Sequence, residues 1–144
     1  MSERIILTDL DEQMQEAVAD TRQRVAELHA ELPRWGLVVW TAGNVSERVV
    51  VDRGDGPVKT DLFVIKPSGV SYDELTADTM VVCTLDGEKI DDGTPASLTP
   101  SSDTAAHAYV YRHRGDVGGV VHTHSPYATA WAARREPIPC ALTM

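Results

Sequence analysis

Cysteine is scarce in this 144-residue chain: there are two, Cys83 and Cys140, with no CxxC spacing. That rules out a thiolate zinc site and a dithiol redox pair, and it points to reduced thiols in a cytoplasmic compartment. Basic residues are also few, 13 Lys and Arg against 22 Asp and Glu, for a formal net charge of -9. A duplex nucleic-acid surface needs clustered cations that displace counterions, so nucleic acid is excluded as a partner. Any anionic substrate must then be held by local donors. Long apolar runs are missing as well. No stretch approaches the roughly 20 residues of a membrane span, so no membrane partner is expected. Only Ile5, Ile6 and Leu7 precede Thr8 and Asp9, which is too short for the apolar region of a secretory signal. Internal repeats and low-complexity tracts are absent.

What is present suits one ordinary domain over residues 1–144: 42% of the residues are hydrophobic, enough for a core. From Asp9 to Leu32, Leu10, Met14, Ala17, Val18, Val25 and Leu28 recur at helical intervals, with Thr8 and Asp11 as capping signals and Pro33 as the stop. The period then changes. Leu37 to Trp40, Val45 to Val51, Leu62 to Ile65 and Met80 to Thr84 read as strands of a mostly antiparallel sheet, and Gly118 to His124 as a buried strand. Turns are expected at Gly54–Pro57 and Leu85–Glu88, and a short helix within Ser71–Thr79. Asp103 to Arg112 should be helical with an apolar stripe of Ala106, Tyr109 and Val110, and Ala128 to Arg135 should form a last helix. Trp35 and Trp40 read as core or subunit-contact residues. An apolar tail then runs to Met144 without a polar finish, so a C-terminal segment is expected to be missing.

Chemistry concentrates in four loops and strand ends. In Val120-Val121-His122-Thr123-His124, strand alternation points both imidazoles to one face, where they either share a metal ion or divide into one packed and one exposed histidine. Ser101-Ser102-Asp103 stands just before a predicted helix, where unpaired N–H groups and the positive dipole end suit a phosphate; plain helix capping is the other use of such residues. Thr41-Ala42-Gly43-Asn44-Val45-Ser46 and Lys66-Pro67-Ser68-Gly69 each join a glycine to donors suited to phosphate oxygens, or form ordinary turns. His29, His107 and His113 are not read as ligands, and a structural role is expected for His107.

Taken in order, Thr41–Ser46, Lys66–Val70, Ser101–Asp103 and His122–His124 resemble the three phosphate loops and the metal strand of the class II aldolase/adducin family. The resemblance implies an α/β, three-layer fold with a central, mostly antiparallel sheet flanked by helices. It implies that Asn44, Lys66, Ser68, Gly69, Ser101 and Ser102 bind the phosphate of a small phosphorylated sugar. It further implies that His122 and His124 hold a divalent metal, zinc above all, with Asp103 beside the metal as ligand and catalytic group. The family's aldolases usually carry Glu where this chain has Asp103, and many carry Asn where it has Thr123; both choices resemble the family's 4-epimerases, which act on L-ribulose 5-phosphate. The implied activity is a metal-dependent sugar-phosphate epimerase in a homotetramer. A fuculose-phosphate type aldolase, and a non-catalytic adducin-like domain or inactive fragment, stand as alternatives. The family's third metal-binding histidine has no counterpart in these residues.

Overall fold

The computed structural model describes residues 4–141; the last three apolar-tail residues, 142–144, lie outside them. In chain order the elements are α1 (Glu12–Arg34), β1 (Asn44–Asp52), β2 (Pro57–Ile65), β3 (Val81–Thr84), α2 (Thr104–His113), β4 (Gly119–His122) and α3 (Pro126–Arg134). The β-branched runs of β1 and β2 fold back on the Gly54–Gly56 turn and pair antiparallel, and every other strand pairing is antiparallel too, in the order β3-β2-β1-β4. No helix among the described residues is long and apolar enough to cross a membrane.

Alternation along the strands decides the layers. Val49, Leu62, Val64 and Val82 turn to one face and pack with Val18 and Val25 of α1. Phe63, Ile65, Val81 and Cys83 turn to the other and pack with Ala108 and Tyr111 of α2. The result is helix, sheet, helix, as the family resemblance implies. Each fully buried Val, Phe or Ile contributes about 1.5–3 kcal/mol relative to exposure, so the two apolar faces hold the three layers together.

Several local expectations change. Asp11 alone caps α1, its carboxylate accepting from the Met14 amide at 2.9 Å. Pro33 sits inside the last turn, and the helix ends one residue later, at Arg34. Its buried stripe is Val18, Thr21, Val25, His29 and Leu32, while Leu28 is exposed. Leu37–Trp40 is a loop rather than a strand, with Trp40 in the left-handed region at φ 56°. Trp35 and Trp40 are 70% and 90% exposed, so neither is a core residue.

Ser71–Thr79 gives two single 3-10 turns, Tyr72–Glu74 and Ala77–Thr79, in place of a helix. On α2 the buried face is Thr104, His107, Ala108 and Tyr111; Ala106 and Tyr109 are exposed and Val110 is half-buried. The stripe is rotated toward His107 and Tyr111, which meet a polar partner on β1, described below, while Tyr111 also packs on Phe63. Strand β4 stops at His122 and is half-buried, with Val121 exposed. Both cysteines are free, Cys83 buried and Cys140 exposed.

Candidate functional site

The start of β1, the end of β4 and the end of β2 lie at one end of the sheet, because Asn44 stands opposite His122 and Ser46 opposite both Val120 and Ile65. Beyond β2 the chain continues extended. The Ser68 amide donates to the Thr99 carbonyl at 2.8 Å and the Ser101 amide to the Lys66 carbonyl at 3.0 Å, which brings the Lys66 and Ser101 loops side by side. Thr41, Gly43, Asn44, Lys66, Ser68, Gly69, Ser101, Ser102, Asp103 and His124 thus line one cavity of about 360 Å³. A larger hollow of about 540 Å³, lined by Leu10, Met14, Leu62 and Leu85 among others, holds none of the candidate phosphate- or metal-binding residues.

Gly43 cannot be another residue here. Its φ is +75°, and a Cβ would lie 2.4 Å from Val38 Cγ1 and 2.9 Å from the His122 carbonyl oxygen. The contact holds the first loop against β4. Tyr72 clamps the same loop from the side, its hydroxyl donating to the Ala42 and Gly43 carbonyls at 2.8 and 3.1 Å. His29 pins the loop's exit: its Nε2 accepts from the Val45 amide at 2.9 Å while its Nδ1 lies 2.6 Å from the Val25 carbonyl. That pair of bonds fixes the neutral tautomer with the proton on Nδ1, and burial lowers the pKa of His29 to about 4.

Sequence reading missed both residues. For His29 the signal was available, since it falls four positions after Val25 on the apolar stripe of α1. For Tyr72 it was not, because only the tertiary fold brings it to the loop.

Lys66 is 2% exposed, and its ammonium donates only to carbonyls, of Thr41 and Pro67, both at 3.2 Å, while lying 5.5 Å from the centre of the Tyr72 ring. Burial lowers its pKa. No carboxylate pairs with it among the described residues, so a buried positive charge stands beside the cavity without a counter-charge.

Asp103 stands at the N-cap of α2, yet its side chain makes no capping bond. Its Oδ2 instead accepts from Asn44 Nδ2 and from His122 Nδ1, both at 2.7 Å. Burial raises the Asp103 pKa, but the hydrogen bonds from Asn44 and His122 outweigh this and hold it below the usual carboxylate value. With the proton of His122 on Nδ1, the lone pair of Nε2 is left available, the arrangement by which carboxylates orient metal-binding histidines.

The ring centroids of His122 and His124 are 4.9 Å apart. The pair fits a divalent ion as an open set of two imidazole donors. Among the described residues no group of three His, Cys, Asp or Glu side chains closes around such an ion. Asn44 Oδ1 is buried and accepts no hydrogen bond among the described residues, which leaves an acceptor waiting for a donor. Of the other histidines, His107 is buried and bonded to Ser46, and His113 ends α2, stacked on Tyr109 at 3.9 Å.

The fold and site define a three-layer α/β domain that gathers its polar loops and a histidine pair at one end of the sheet. The chain belongs to the class II aldolase/adducin family: residues 23–144 match the model of the class II aldolase and adducin N-terminal domain. It is 44% identical over 126 residues to a probable L-ribulose-5-phosphate 4-epimerase of Mycoplasma pneumoniae, covering 88% of this chain and 48% of that protein. It is 47% identical over 118 residues to an L-ribulose-5-phosphate 4-epimerase of Salmonella paratyphi C, covering 82% and 46%. The chain therefore spans about half the length of the curated relatives it matches.

Among solved structures, an L-fuculose 1-phosphate aldolase superposes with a TM-score of 0.69 at 30% identity, over 84% of this chain and 51% of that one. An L-fuculose 1-phosphate aldolase of Glaciozyma antarctica reaches a TM-score of 0.70 at 17% identity over 89% of this chain and 49% of that one, a likeness of fold alone.

Proposed function

We propose that this chain carries the phosphate- and metal-binding residues of a sugar-phosphate epimerase acting by retro-aldol and aldol chemistry on a ketopentose phosphate such as L-ribulose 5-phosphate. The single observation that carries this reading is a buried, unneutralised Lys66 in a cavity also lined by His124 and by Asp103, the carboxylate that orients His122. A dianionic phosphate supplies the counter-charge Lys66 lacks. Ser68, Ser101 and Ser102, with the amides at the N-terminus of α2 and the glycine-bearing turn at Gly69, surround the same space with donors. Asn44 Oδ1 accepts from a substrate hydroxyl.

His122 and His124 are the metal-holding residues of this reading, and zinc suits their nitrogen donors. A divalent ion held there supplies Lewis-acid polarisation of a ketose carbonyl and its neighbouring hydroxyl. Asp103 serves twice. Its Oδ2 keeps His122 in the Nδ1–H tautomer, and its Oδ1, which accepts no hydrogen bond among the described residues, is the atom left for the metal or for the proton of a substrate hydroxyl. When the carbon–carbon bond breaks, that hydroxyl proton passes to the carboxylate and the electron pair of the bond passes to the ketose carbonyl. In an epimerase the aldehyde turns its other face, the bond re-forms and the proton returns; in an aldolase the aldehyde departs.

The aldolase is the second reading, favoured by the structural similarity to L-fuculose 1-phosphate aldolase at 30% identity. Assembly as a homotetramer in the cytoplasm completes the proposal, and the two free cysteines accord with that compartment. The test is elemental analysis of metal per chain beside a His122→Ala/His124→Ala control, with assays on L-ribulose 5-phosphate and L-fuculose 1-phosphate. Near-stoichiometric zinc lost in the control, with epimer formed from the first substrate, supports the epimerase; an aldehyde product from the second supports the aldolase. No metal above the control and no turnover would replace both with a non-catalytic domain.

A further inference from the structure

Helix α2 is joined to strand β1 by polar rungs rather than by apolar packing alone. On β1, Asn44 and Ser46 are two residues apart and so face the same way, toward α2. On α2, Asp103, His107 and Tyr111 are spaced four apart along the side that meets the strand. Two strand residues rise about 6.6 Å and four helical residues about 6 Å, so the spacings match from one rung to the next. The first rung is Asn44 Nδ2 to Asp103 Oδ2 at 2.7 Å. The second is Ser46 Oγ, which lies 2.7 Å from both His107 Nδ1 and Tyr111 Oη.

Ser46, His107 and Tyr111 are each at most 3% exposed, so these bonds form away from competing water. Ser46 also faces Val120 across the β1–β4 pairing, two residues before His122, so the same hydroxyl stands where helix and both strands meet.

We propose that Ser46, His107 and Tyr111 form a positioning brace that sets the height and rotation of α2 on the sheet, and thereby fixes the Asp103–His122 pair. Asp103 needs such a device because it makes no capping bond within its own helix; its side chain is placed only by Asn44 and His122 across the gap. A slip of α2 by a single residue moves it about 1.5 Å along its axis and rotates it by about 100°, enough to part Asp103 from both partners. The brace is thus a positioning element and touches no substrate. It rests on the proposed function only in what the oriented His122 is for, while the orientation itself can be observed without metal, substrate or turnover.

The experiment follows the His122 ring by ¹H–¹⁵N NMR in the metal-free chain. The native protein is expected to show a single Nδ1–H tautomer for His122. Ser46→Ala combined with Tyr111→Phe, which keeps the ring 5.2 Å from Phe63, is expected to give a mixture of tautomers. A Val82→Ala control, in the apolar layer on the opposite face of the sheet, that lowers the urea midpoint at least as much should leave the single tautomer intact, and Ser46→Thr, which keeps the hydroxyl, should restore it.

Cobalt(II) affinity, read by its visible spectrum, is expected to fall about tenfold in the double variant, as is usual when the support of a metal-binding histidine is lost. A fixed Nδ1–H tautomer in the double variant, or an equal loss in the Val82→Ala control, would overturn the brace. A loosened tautomer in a chain that binds no cobalt even as wild type would leave the brace standing and remove the metal site.

Discussion

At the scale of single residues, stability and the proposed phosphate binding oppose one another at Lys66. Its ammonium is buried without a carboxylate, a cost that nothing among the described contacts offsets beyond two carbonyls and an aromatic face. Lys66→Met keeps the stem and removes the charge. The variant should be as stable as the native chain or more so, by about 1 kcal/mol, while losing inorganic phosphate by 100-fold or more. Urea midpoints and phosphate titration calorimetry check the two halves separately, and a variant that is destabilised but still binds phosphate would refute the role given to Lys66. Asp92 is the contrast. Also buried, it is fully supplied, by the Val82 and Thr94 amides, the Thr94 hydroxyl and Arg22, and so reads as a strut between α1 and the loop after β3.

At the scale of elements, α1 is the scaffold on which the first loop is mounted. Its N-terminus is held by Asp11, which bonds the Met14 amide and pairs with Arg53 at the β1–β2 turn. Its far end carries His29, which holds Val45. Asp11→Ala should cost about 1 kcal/mol, the usual worth of an N-cap, because the exposed ion pair with Arg53 adds little. Thermal or urea unfolding checks this, and Asp11→Asn, which keeps the capping oxygen and loses the charge, should recover most of the loss. Helix α3 differs in kind. None of its residues is buried, and it holds to the rest chiefly through the chain that precedes it, where the His124 amide donates to the Leu37 carbonyl at 2.7 Å.

At the scale of the whole molecule, two histidines in the interior couple folding to pH. Burial lowers both His29 and His107 from an ordinary value of 6.5 to about 4. Between those values the unfolded chain binds protons that the folded chain refuses. Stability is therefore complete above pH 6.5 and declines as the pH falls toward 4. His29, fully buried, should alone account for on the order of 1–2 kcal/mol at pH 5. Urea denaturation at pH 7 and pH 5 should show the lower midpoint at pH 5, and equal midpoints would mean that the two rings are already protonated or more accessible than their burial implies.

The sequence by itself determined the helical and strand periods, the turns at Gly54–Pro57 and Leu85–Glu88, and the identity and order of the four polar segments, because each of these is a local pattern of residue types. Asn44, Lys66, Ser68, Ser101, Asp103 and His124 were legible as candidates for that reason and do line one cavity. What only the tertiary structure decided were contacts between residues far apart in the chain. Leu37–Trp40, apolar enough for a strand, found no partner strand and became the loop over which Trp40 is exposed.

The buried side of α2 was likewise set from outside the helix. Hydrogen bonds with Ser46, and the packing of Tyr111 on Phe63, hold His107 and Tyr111 inward, against the helix's own apolar stripe. Asp103, readable as a helix cap, became the support of His122 because the sheet places Asn44 and His122 opposite one another. Local propensity fixes how the chain bends; which polar atoms end up within bonding distance depends on strand register and layer packing, and those are set by the whole chain at once.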